Sequence, residues 1–227
     1  MLDQGVTYNT TMALVVGIIM IFSVMFGKEL AFNKQKNFLG WGFAFVMLGL
    51  FLAISGFSMM LTWPLKEVPG AFCCTVDNIT FGEPSAFYGT LTFIIGLAIL
   101  ISDRCKEDKN SHIISTLRPI LYIGAIGGFG LILFGIAGLH FGMWRPPTIE
   151  PIARLLAGNL LEPLFVAFLY AGTGVGAILA PFALRNSCVA KFAGVFIWCL
   201  GILWIMLAFT VFYSHVGFFP QPDGSYM

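Results

Sequence analysis

The sequence predicts an all-α integral membrane bundle of six transmembrane helices with both termini extracytoplasmic, and three observations carry that fold class. Only 10% of the 227 residues are charged while 58% are hydrophobic, with a mean hydropathy of +0.90; a soluble domain carries about 25% charged residues. The apolar residues fall in long runs instead of alternating with polar ones, so the solvent for most of the chain is lipid. Lys and Arg gather on alternate connections between those runs.

Each expected span approaches the roughly 20 residues that cross a hydrocarbon core of about 30 Å, and none contains Asp, Glu, Lys or Arg. Helix one, residues 8–27, follows Asp3 and precedes Lys28, Lys34 and Lys36. A cleavable signal peptide has the opposite polarity, so this is expected to be a retained span entering from outside, with the whole chain as the mature protein. Helix two, residues 38–61, runs into "GFSMMLTWPL" (56–65), where Trp63 marks the interface and Pro64 stops the helix. Helix three, residues 86–102, follows Glu83-Pro84, an acid at the positive end of the dipole with proline at the helix start. Helix four, residues 119–143, starts at Pro119 and ends in "GLHFGMWRPP" (138–147). Helix five, residues 163–184, follows Glu162-Pro163, and helix six, residues 192–215, ends in "HVGFFPQP" (215–222).

Nine of the twelve Lys and Arg lie in the first, third and fifth connections. The positive-inside rule therefore puts those loops in the cytoplasm and both termini outside, in the cell (plasma) membrane. A net charge of +1 without a basic stripe excludes nucleic acid as a partner. The absence of mid-membrane carboxylates argues against an ion-coupled pump.

Two stretches echo each other. Trp63-Pro64, an external loop and Glu83-Pro84 are matched by Trp144, a second external loop and Glu162-Pro163, with Trp-to-Glu spacings of 20 and 18 residues. A shift of two helices preserves orientation, so this is a parallel helix-hairpin repeat if it is more than interfacial punctuation by Trp and Pro. Helix six would be the rising half of a third unit and helix one its descending partner. Met59, His140 and His215 then take equivalent positions, four residues before Trp63, Trp144 and Phe219. The Gly124/Gly128, Gly138/Gly142 and Gly172/Gly174/Gly176 patterns are expected to pack helices within the chain, with contact between protomers as the alternative.

The candidate ligand set lies on the expected outer face: His140, His215 and Met59 for a cofactor, and His140, His215, Glu83, Glu162, Cys73 and Cys74 for a metal. Two His with Met and carboxylates suit copper or iron, and His pairs or His/Met pairs also hold haem. The bland readings stand beside this. An interfacial His is usually solvated, Glu83 and Glu162 serve as helix caps, and the adjacent Cys73 and Cys74 bridge each other only with strain, which favours free or intermolecularly paired thiols. His112 is expected to be solvated in a cytoplasmic loop. Asn9 and Asn78 head glycan-acceptor triplets on the expected outer side.

Through "TWPL" (62–65) and "NITFGEPSAFYG" (78–89), the chain resembles an uncharacterised family of archaeal and bacterial polytopic membrane proteins, domain-of-unknown-function family 981. Thr62, Trp63, Pro64, Leu65, Pro69, Gly70, Asn78, Phe81, Gly82, Glu83 and Pro84 carry that resemblance, and a longer loop with Cys73 and Cys74 departs from it. The resemblance implies a membrane fold of six or seven helices and no established activity. Three functions are compatible with these observations, and the sequence favours the first. The first is a non-catalytic subunit, packed with other membrane subunits or with its own copies, holding haem or copper near the outer face. The second is a channel or facilitator for a small neutral solute. The third is an outer-face enzyme acting on lipid or quinone through Glu83, Glu162, His140 and Arg145.

Overall fold

The computed structural model of the chain describes residues 6–32, 37–64, 76–104, 108–144 and 160–215. Among them are seven helices and no strand: α1 (Val6–Phe32), α2 (Leu39–Thr62), the one-turn α3 (Asp77–Thr80), α4 (Gly82–Ser102), α5 (Lys109–His140), α6 (Leu161–Ala183) and α7 (Ser187–His215). Six apolar segments are long enough to cross a membrane, α3 and α4 together making one of them (Asp77–Ser102), which makes this a multi-pass membrane protein. Its outer surface agrees: Met47, Leu61, Ile126 and Val195 are each more than two-thirds exposed, an apolar surface that lipid tolerates and water does not.

The largest departure from the expected spans is in α5, which begins at Lys109 and not at Pro119. The Asp108 carboxylate caps this start, accepting from the Ser111 hydroxyl at 2.6 Å and from its backbone N–H at 3.4 Å. Ile113 and Leu117 then pack into an aromatic cluster with Phe26, Phe38 and Phe45, so a polar first segment remains helical outside the hydrocarbon. At 32 residues, α5 is about 48 Å long, well beyond the core thickness. His112 accordingly sits on a helix instead of a loop, exposed, with its Nδ1 3.0 Å from the Ser102 hydroxyl.

Three antiparallel pairs build the bundle: α2 with α4, α5 with α6 and α1 with α7. Between α2 and α4 the backbones touch at Gly49 and Gly89. A Cβ on Gly49 would meet Phe93 N and approach the Gly89 carbonyl to 2.8 Å, and a Cβ on Gly89 would meet Ala53 N. Similar contacts pair Gly128 with Gly174 in the second unit and Gly17 with Gly201 in the third, where added Cβ atoms would meet the opposite carbonyls. Lipid supplies no hydrophobic drive between helices, so this closeness, with the dispersion contact it permits, is what holds the pairs together.

At the end of the bundle where α1 finishes, polar side chains tie the helices. Trp41 Nε1 donates to Glu29 at 2.6 Å, the Phe38 N–H to Asp103 at 2.9 Å and the Asn110 amide to the Leu30 carbonyl at 3.0 Å. Lys109 pairs with Asp103 at 3.3 Å.

Candidate functional site

The end where α1 starts carries most of the residues singled out in the sequence. Gly142 has φ 66°, and around it the Met143 N–H donates to the Gly138 carbonyl at 2.9 Å while the Gly142 N–H donates to the Leu139 carbonyl at 3.3 Å. These two bonds form a Schellman stop, and the left-handed residue is the one that a side chain would strain. The glycine of "HFG" thus ends a helix, and the same turn folds Trp144 back over Gly138 and against Tyr170. Trp63 closes α2 in the left-handed region at φ 47°, donating its N–H to the Met59 carbonyl, with Pro64 preventing continuation.

The expected equivalence of Met59 and His140 meets two different surroundings. Met59 is fully buried with Met12, Val15 and Leu52. His140 is exposed, its ring edge-on to Phe141 at 4.7 Å. Glu83 is exposed and Glu162 half-buried, each in the first turn of its helix. Cys73, Cys74, Arg145 and the side chains of His215 and Asn9 lie outside the described residues. Among the described residues, no three His, Cys, Asp or Glu side chains gather as a metal site would require. Asn78 is fully buried on α3, which withdraws its amide from modification in the folded chain.

What the fold brings together instead is a cavity of about 110 Å³ to which all six spanning helices contribute. Met12, Ala13 and Met20 come from α1, Leu52 from α2, Ser85, Tyr88 and Thr92 from α4, Leu131 from α5, Tyr170 and Thr173 from α6, and Trp204 from α7, with Phe81 between α3 and α4. Most of these positions lie in the half nearer the start of α1, with Met20, Thr92 and Thr173 at mid-helix. From Phe81 to Thr92 the lining covers about 16 Å of axial rise. Among the described residues no charged side chain lines it.

Tyr170 organises one wall. Its ring contacts those of Trp144 at 4.9 Å, Trp204 at 5.7 Å, Phe81 at 6.0 Å and Phe134 at 6.5 Å between centroids. The Tyr170 hydroxyl donates to the Thr80 carbonyl at 2.8 Å, fastening α3 over α6. Trp204 Nε1 donates to the Thr173 hydroxyl at 3.0 Å, and that hydroxyl donates to the Leu169 carbonyl at 2.7 Å. On the facing wall the Tyr88 hydroxyl donates to the Gly124 carbonyl at 2.9 Å. The polar tips of Tyr88, Tyr170 and Trp204 are thereby satisfied while their aromatic bodies face the space, whereas the Trp144 indole N–H is buried with no partner among the described residues.

Sequence reasoning missed these lining residues because they come from six separate helices. The signal that could have found them is the spacing Ser85, Tyr88, Thr92: positions i, i+3 and i+7 put three hydroxyls on one face of an otherwise apolar helix.

A family model described as "Protein of unknown function (DUF981)" matches residues 4–217. The chain belongs to that family. No curated protein and no solved structure matches this DUF981 chain.

Proposed function

We propose that the protein is a facilitator for a small neutral solute, which it takes into the cavity. The observation that carries this reading is the junction of six helices around a largely apolar space of about 110 Å³ with no charged side chain among its described lining. An apolar cavity of about 150 Å³ accepts a molecule as large as benzene, so this one suits a guest of a few heavy atoms. A path without charged side chains disfavours ions and leaves neutral permeants.

The parallel repeat belongs to this reading. Three glycine-crossed pairs would form three hairpin units around the path, with both termini outside the cell membrane as the Lys and Arg distribution supports. Homo-oligomers or other membrane subunits would contact the apolar outer faces. The separate surroundings of Met59 and His140 favour the solute reading over a subunit holding haem or copper.

The test is stopped-flow swelling of proteoliposomes in acetamide, urea and glycerol. The reading expects faster entry of at least one solute than into protein-free vesicles; identical rates for all three would remove it.

A further inference from the structure

We infer that Ser85 and Thr92 are two successive hydrogen-bonding stations in the cavity, and that its guest carries a hydroxyl or carbonyl group. This rests on the cavity being a solute site.

In a membrane helix, a serine or threonine hydroxyl ordinarily turns back onto its own backbone. Ser23, Thr62, Thr90, Thr173 and Thr210 do so, each donating to a carbonyl four residues earlier at 2.7–3.0 Å. Ser85 and Thr92 are buried, at 6% and 7% exposure, and both line the cavity. Among the described residues no hydrogen bond of either hydroxyl is seen, and neither oxygen is among the fully enclosed orphan atoms, which include Arg118 Nε and Trp144 Nε1, so both open onto the cavity. An unmade hydrogen bond in a buried setting is costly, and the cavity is where each hydroxyl can find a partner.

Their spacing describes the guest. Seven residues of α4 separate them, about 10 Å of rise, so a molecule of a few heavy atoms reaches one station at a time. Tyr88 lies between, its proton committed to Gly124 and its oxygen still able to accept. The aromatic wall of Phe81, Tyr170 and Trp204 contacts the guest's apolar body. Two weak sites in series allow entry and exit, where one strong site would trap the guest. Short alcohols and small amides fit this description; pure hydrocarbons leave both hydroxyls unpaired.

The test compares two near-isosteric probes, 2-fluoroethanol and 1-fluoropropane, by ¹⁹F NMR against the full chain in nanodiscs, with empty nanodiscs as baseline. The expected result is a preference of about fivefold for fluoroethanol, the scale of one neutral hydrogen bond. Ser85→Ala and Thr92→Val should each reduce it, the double variant should abolish it, and Thr92→Ser should retain it. Circular dichroism melting of each variant separates lost binding from lost folding. Equal binding of the two probes, or a preference that survives the folded double variant, overturns the stations while leaving the solute cavity standing. Binding of neither probe above baseline overturns the cavity reading and the stations with it.

Discussion

The Tyr170 hydroxyl donates to the Thr80 carbonyl at 2.8 Å, joining residues 90 positions apart and holding the one-turn α3 against α6 at the cavity's edge. Both partners are buried, Thr80 completely. Tyr170→Phe keeps the ring contacts with Trp144 and Trp204 and deletes only this bond. We expect it to lower stability by about 0.5–2 kcal/mol, the span measured for interhelical hydrogen bonds in membranes and for orphaned buried acceptors. Thermal unfolding in mild detergent measures this, and an unchanged midpoint would mean that the latch contributes nothing.

Glycine substitutions should divide sharply by place. At Gly49 an added methyl would meet the backbone of α4, whereas at Gly130 nothing lies within 4 Å. Gly49→Ala forces α2 and α4 apart and is expected to cost about 1–3 kcal/mol or more, as overpacking does. Gly130→Ala should change stability by less than about 1 kcal/mol, in the stabilising direction, because alanine is the better helix former. Similar melting shifts for the two would contradict the close crossing.

Gly142 supplies the left-handed turn after His140. Gly142→Ala should destabilise by about 1 kcal/mol, and Gly142→Asn by less, because asparagine tolerates that backbone region better. Equal effects of the two substitutions would show that the turn is not under backbone constraint.

Orientation is open to the native thiols. In variants keeping one cysteine each, Cys73 and Cys74 should react with a membrane-impermeant maleimide on intact cells, and Cys105 and Cys188 only after permeabilisation. The reverse pattern would invert the proposed topology.

Much of this architecture was legible in the chain before folding. Uninterrupted apolar runs declare spans because no other solvent accepts them, and helix ends such as Trp63-Pro64 and His140-Phe-Gly142 are written in local chemistry. The start of α5 was not legible from hydropathy, since residues 109–118 are polar and their helix depends on the Asp108 cap and on Ile113 and Leu117 packing beyond the membrane core. The four residues of α3 carry too little pattern to be seen. The cavity was least legible of all. Conspicuous residues such as His140 and Glu83 drew attention to the interface, whereas Ser85, Thr92, Tyr170 and Trp204 are ordinary on their own helices and acquire meaning only when six helices meet.

Filling the six-helix cavity decides whether it admits a small neutral solute. Ala13 is buried and lines the space, so Ala13→Phe puts an aromatic ring where the guest would sit. The measurement is acetamide entry into proteoliposomes of wild type and Ala13→Phe, each checked for a single folded species by size-exclusion chromatography. Entry above the protein-free rate is expected for wild type, with a return to that rate for the filled variant. Wild-type entry no faster than protein-free vesicles, or undiminished entry through Ala13→Phe, would contradict the solute reading.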